Sequence, residues 1–174
     1  MFGTLYRFFA EDHDRLDGLL RRSITESGAI DRDAYAEFRA GLLKHISMEE
    51  KILLPAVQGL RGGDPLAVAA TLRLDHSALA ALLVPTPTRT IIAAIRAILG
   101  PHNAREEGSG GVYECCEQLV GAETEALLVT WPRLPLCWWG TKPTRAILIP
   151  PPFLRTLEAL HYSAMDHTRE RGSA

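Results

Sequence analysis

His45-x3-Glu49 and His102-x3-Glu106 repeat one histidine-to-carboxylate step, with His13 alone before the first pair and His76 alone between the two. Residues four apart share one face of an α-helix, so each pair aims an imidazole and a carboxylate at the same spot. A lone histidine on an apolar stripe is ordinarily bonded to a backbone carbonyl, and one His-x3-Glu pair is ordinarily a surface hydrogen bond. The combination behaves differently. Four imidazoles and two carboxylates in one interior would cost on the order of several kcal/mol unpaired, and a cation removes that cost. A tetrahedral structural zinc takes four protein ligands. Six nitrogen and oxygen donors, with Glu49 and Glu106 able to bridge, instead suit a pair of ions about 3.5–4 Å apart.

The elements that must position these residues are readable from the apolar period. Leu5, Phe9, His13, Leu16 and Leu20 form a stripe that predicts a helix over about 5–22. After a loop containing Gly28, Asp31 or Asp33 caps a second helix with the stripe Tyr35, Phe38, Leu42, His45, Glu49, Ile52. Pro55 is expected to kink or shorten that helix after Leu54, and Arg61-Gly62-Gly63 forms a turn before a helix start at Asp64-Pro65. The third stripe is Ala69, Leu72, His76, Leu79, Leu83; the fourth is Ile91 or Ile92, Ile95, Leu99, His102, Glu106. Short loops between such helices predict an all-α, antiparallel up-down-up-down four-helix bundle in which the six groups converge at one level. Asp12, Asp14, Glu50, Asp75 and Glu107 stand next to the candidate ligands and would offset remaining positive charge from behind them. A neighbour one residue away points about 100° off the ligand face, so a solvated or capping role is the expectation for each.

The strings EDHDRL, LLKHISMEEKILLPAV, LRLDHSAL and PHNAREE, in that order over about residues 5–120, resemble the hemerythrin-like (HHE cation-binding) domains. That resemblance implies a non-haem di-iron centre with an oxo or hydroxo bridge, held by His13, His45, Glu49, His76, His102 and Glu106; zinc or manganese are the other metals to consider. Oxygen-carrying hemerythrins are similar but place a second histidine one turn from the third-helix ligand and use a His-x4-Asp step on the fourth helix. Here Leu72 and Ala80 flank His76 at one turn, and the fourth-helix step is His-x3-Glu. One ion thus lacks a protein nitrogen, and small Ala80 leaves room for water or another exogenous ligand. The resemblance therefore implies binding or sensing of oxygen, nitric oxide or iron rather than oxygen transport. The open position motivates an enzyme alternative, a ferroxidase or a peroxide-consuming protein, and a purely structural zinc role is a third reading.

Composition narrows the partners. With 174 residues, 47% of them hydrophobic and 23% charged, the chain can bury one sizeable core, expected over 1–128. A net charge of -2 gives no electrostatic case for nucleic acid or an anionic membrane. Cys115 and Cys116 are adjacent and Cys137 is alone, which is neither a disulfide framework nor a CxxC or zinc-finger spacing, so a reducing cytoplasm is expected. Arg7 and the acids after Ala10 interrupt the apolar start, so neither a secretory leader nor a membrane span is expected. Gly108-Ser109-Gly110-Gly111 should break the fourth helix, and 112–128 reads as its continuation or a fifth helix, with Tyr113 expected in the packed core or, as the alternative, in the site as a hydrogen-bonding phenol. The proline-rich, apolar stretch 131–152 and a terminal helix over 153–169 make up an extension, 129–174, expected to pack on the bundle or at a homodimer interface. His161 and His167 lie off the ligand pattern and are expected at the surface.

Overall fold

The computed structural model describes residues 3–121 and 124, so the expectations for 129–174, including His161 and His167, lie outside the described residues. Helix α1 (Thr4–Arg22) packs against α2 (Arg32–Met48), which runs through a π-helical segment, Glu49–Leu53, directly into α3 (Leu54–Leu60). Helices α4 (Ala69–Leu82) and α5 (Arg89–Glu107) complete an antiparallel bundle of four rods, the α2–α3 rod counting as one. A short α6 (Val112–Val120) folds back against α1, α3 and α5. Among the described residues there is no strand, only an isolated bridge between Ile24 and Ile30, and no helix is long and apolar enough to cross a membrane.

Local chemistry sets the helix ends. The Asp31 carboxylate accepts from the N–H groups of Asp33 and Ala34, both at 3.0 Å, and so satisfies two donors that the first turn of α2 leaves free. Thr88 does the same for α5 through Ile91 N–H at 3.2 Å. The first turn of α1 is capped from a distance: Tyr6 N–H donates to Glu117 of α6 at 2.9 Å, placing a carboxylate at a helix N-terminus. Glycine ends α5 after Glu107, as the run from Gly108 to Gly111 implies, and Gly110 takes a positive φ of 70°.

Two boundaries differ from the sequence reading. The third rod begins at Ala69 rather than at Asp64-Pro65. The segment between them stays irregular, and its Leu66 and Val68 pack on the apolar core. Of the kink or shortening expected at Pro55, the second rod is not shortened, and the disturbance is a local widening of the helix just before the proline. Proline has no N–H and its ring clashes with the carbonyl four residues back, and a wider turn relieves both. Leu54 N–H accordingly reaches back five residues to the Glu49 carbonyl, and the helix continues through Pro55. The extra residue re-phases the stripe, so Leu53 is fully buried where Ile52 was expected, and Ile52 is only partly buried.

The interior is divided into two apolar cores. One holds Leu5, Phe9, Leu53, Val57, Leu72 and Val112 among others; the other holds Leu16, Leu20, Phe38, Leu42, Leu79 and Ile95 among others. On α1, on the α2–α3 rod and on α4 the polar candidates separate residues of the first core from residues of the second; on α5 they follow second-core residues, and Val112 of α6 supplies the first core beyond them. Glycine permits close approach at several positions, Gly41 and Gly111 among them. A Cβ at Gly41 would lie 2.8 Å from Leu16 Cδ2, where α2 meets α1. At Gly111 a Cβ would lie 2.6 Å from the carbonyl oxygens of both Glu106 and Gly108, which are backbone and cannot swing aside. Gly111→Ala is therefore expected to destabilise the protein by about 1–3 kcal/mol, seen as a lower midpoint in thermal or urea unfolding; an unchanged midpoint would show that α6 does not depend on this turn.

Candidate metal centre

His13 comes from α1, His45 from α2, Glu49 from the π-helical segment, His76 from α4, and His102 and Glu106 from α5. The structure brings all six together, each no more than 6% exposed. Their donor atoms form two four-membered groups, His13, His45, Glu49 and Glu106 in one and Glu49, His76, His102 and Glu106 in the other, with every atom of a group within 4.8 Å of the rest. Both carboxylates belong to both groups. Several of these atoms lack a hydrogen-bond partner although fully buried: Glu49 Oε2, His76 Nε2 and Glu106 Oε1. His76 Nε2 and Glu49 Oε2 approach to 3.1 Å without an aligned hydrogen bond. Buried polar atoms that face one another without aligned hydrogen bonds are costly, and a shared cation satisfies them, so the donor set fits a metal pair.

Behind the imidazoles runs a closed ring of acids. Asp12 on α1 bonds Nδ1 of His45 on α2 at 2.9 Å, and Glu50 bonds Nδ1 of His76 on α4 at 2.8 Å. Asp75 on α4 approaches Nδ1 of His102 on α5 at 3.3 Å, and Glu107 at the end of α5 returns to Nδ1 of His13 at 2.5 Å. Each bond places a proton on Nδ1 and turns Nε2 inward, the arrangement that orients histidine ligands. The solvated or capping role expected for these four acids is thus corrected. Rotation by about 100° from the ligand face leads, in a four-rod bundle, to the adjacent rod rather than to water. Arg15, Arg73 and Arg105 in turn hold Asp12, Glu50 and Asp75 at 2.8, 3.2 and 2.8 Å. Asp14 is exposed and takes no part in the ring.

Tyr113 packs in the apolar core and also enters the site as a hydrogen-bonding phenol, so the expected alternative holds together with the favoured reading. Its hydroxyl donates to Glu49 Oε1 at 2.6 Å and lies 3.2 Å from both Glu106 Oε2 and His13 Nε2, and 3.3 Å from His45 Nε2. The ring stacks on Phe9, with centroids 4.8 Å apart and planes at 15°, and meets Tyr6 edge-on at 6.2 Å. Burial and the charges of Glu49 and Glu106 push the Tyr113 phenol well above its usual range. Burial likewise pushes the Cys116 thiol up to about 12, so it offers no thiolate here.

Charge inside the site is uneven. Burial and His45 push His13 down to about 3, leaving it neutral. Burial alone would lower His45 and His76 too, but Glu49, with Asp12 behind His45 and Glu50 behind His76, raises them to about 10 and about 9. Glu49 is held well below the carboxylate range, because His45 and His76 outweigh the opposing effect of burial, whereas burial and Glu49 raise Glu106.

A profile of the hemerythrin HHE cation binding domain matches residues 4–109, more than half of the chain. The chain belongs to this family. Comparison with curated proteins and with solved structures finds no match. Every one of the six candidates lies inside the hemerythrin HHE span, whereas Tyr113 lies just beyond it. Sequence reasoning had two signals for what it undervalued: an acid stands directly beside a candidate ligand on every rod, and a Gly-Gly turn returns the chain to the bundle immediately before Tyr113.

In the metal-free protein His45 and His76 carry folded-state pKa values above the ordinary 6.5, so they stabilise the fold fully below about pH 6.5 and lose that contribution as pH rises through about 9 and 10. His13 has the opposite sign: its contribution is present above pH 6.5 and lost as pH falls toward about 3. Thermal unfolding of chelator-treated protein should therefore peak near neutral pH and fall on both sides. A melting temperature that stays flat between pH 6.5 and 10 would contradict this account of the site.

Proposed function

We propose that this hemerythrin-family protein is a non-haem di-iron protein that binds or senses oxygen, nitric oxide or iron, with His13, His45, Glu49, His76, His102 and Glu106 as its metal ligands. The observation that carries the reading is that Glu49 and Glu106 belong to both four-donor groups, which is what two ions sharing two bridging carboxylates require. When bound, the iron pair would supply one-electron redox chemistry and an attachment point for a small exogenous ligand. The chain's own residues orient and enclose that point. Asp12, Glu50, Asp75 and Glu107 fix the imidazoles with Nε2 inward, while the apolar cores on either side of the polar layer keep water out.

Reversible oxygen carriage fits less well. The residues one turn from His76 are Leu72, buried in the apolar core, and Ala80, neither of which offers a nitrogen. The same gap supports a second reading, a ferroxidase or peroxide-consuming enzyme with ferrous iron or peroxide as substrate, because an unfilled ligand position admits a reactant. Tight binding of nitric oxide or oxygen without steady-state turnover of peroxide or ferrous iron favours the binding role; sustained turnover favours the enzyme.

Metal analysis of protein purified without added metal should find about two ions per chain, and a ratio near one would sink the two-ion reading. Replacing both His45 and Glu49 by alanine should abolish that content. Asp12→Asn, which leaves every proposed ligand in place, is expected to weaken metal affinity about 10–100-fold through loss of the carboxylate behind His45, measured by competition with a chelator.

A further inference from the structure

We propose that Tyr113 is a fifth protein donor to the ion held by His13, His45, Glu49 and Glu106, its phenolic oxygen bonding to the cation directly. The proposal deepens the metal-binding reading above and rests on it.

Two features of the geometry carry it. Donors about 2.1 Å from one cation and at right angles to each other lie about 3 Å apart. Tyr113 Oη stands 2.6–3.3 Å from all four donor atoms of this group, the spacing of an apical ligand over four basal ones. Two edges of that base, His13 to Glu106 and His45 to Glu49, measure 3.5 and 3.4 Å, and all four atoms lie within 4.8 Å of one another. The second feature is hydrogen-bond arithmetic. A phenol has one proton to give, and Tyr113 gives it to Glu49 at 2.6 Å, yet three more inward-facing donor atoms surround the same oxygen. A tyrosine placed for packing alone needs one acceptor.

The oxygen is also held in place. Phe9 stacks on the ring, Tyr6 closes its edge, and the Gly111 turn leaves α6 no slack before Tyr113. When the cation binds, the oxygen–metal bond replaces the oxygen–hydrogen bond and the proton leaves to solvent, with no change of oxidation state. The other group, Glu49, His76, His102 and Glu106, has four donors among the described residues and no phenol against its histidines. The two ions are therefore unequal, and an exogenous ligand is directed to the His76 and His102 side.

The full-length chain loaded with ferric iron should show a visible tyrosinate-to-iron charge-transfer band, with tyrosinate ring vibrations in resonance Raman spectra excited within it. Both signatures should vanish in Tyr113→Phe and persist in Tyr6→Phe, with iron still bound in each. Titration with zinc should likewise produce a near-UV tyrosine-ionisation difference spectrum in the unaltered chain and not in Tyr113→Phe. A charge-transfer band that survives in Tyr113→Phe overturns the proposal, as does iron-loaded unaltered protein with no tyrosinate vibrations, a result that needs no variant to fold. Two ions bound without the signature defeat this proposal alone; failure to bind iron or zinc defeats the metal reading along with it.

Discussion

Inward-facing buried polar atoms without hydrogen-bond partners of their own are the constraint on which the rest of this bundle depends. Two apolar cores close the polar layer on either side, and the six donors between them are buried to within a few per cent. Such a layer persists only if positive charge enters it. The metal-free protein meets that need with protons on His45 and His76, which balance the Glu49 carboxylate. A cation meets it better, because it satisfies several lone pairs at once where a proton satisfies one or two. Proton and metal thus compete for the same atoms, and the acids behind the imidazoles favour both by keeping the outer nitrogen protonated and the inner one directed at the site.

The ring of acids follows from topology. Each acid sits one residue from a proposed ligand, before it on α1 and α4 and after it on α5 and on the α2–α3 rod. Viewed down the bundle, successive residues turn one way on the ascending rods and the other way on the descending ones. The reversal of chain direction and the reversal from preceding to following residue cancel, so all four acids lean round the bundle in the same sense and each meets the next rod's histidine. A bundle with two adjacent parallel rods would break the circle with this sequence. The up-down-up-down path and the placement of the acids are therefore two expressions of one requirement.

That relation explains what was legible in the sequence. Stripe and step place His13, His45, Glu49, His76, His102 and Glu106 on inward faces because a helix period is a local property, and the structure brings the six together accordingly. The resemblance to the hemerythrin-like domains rested on the same strings, and the family match covers them. The roles of Asp12, Glu50, Asp75 and Glu107 were hidden because they depend on which rod stands beside which, a fact that no single helix contains. Tyr113 was legible only as one of two possibilities for a similar reason: its helix is short, and what brings it inward is a glycine-rich turn and the Glu117 cap on α1. The start of α4 was misplaced because Asp64-Pro65 is a good local start signal, overridden by the packing of Leu66 and Val68.

The π-helical segment joins these threads at Glu49. A uniform α-helix through Pro55 would set the proline ring against the Lys51 carbonyl, one turn below the site. One wider turn avoids that clash, and it carries Glu49 of the polar layer at its start and Leu53 of the apolar core at its end. The regular phase of α2 aims His45 inward, and the first residues of the wide turn aim Glu49 inward and Glu50 toward α4. By its end the phase is reset so that Leu53, Leu54 and Val57 all enter the core. The phase of these three apolar residues is thereby set independently of the regular α-helical phase that places His45. One rod thus presents a donor at Glu49 and apolar side chains at Leu53, Leu54 and Val57, in the core that α6 helps to form with Val112, Cys116 and Val120.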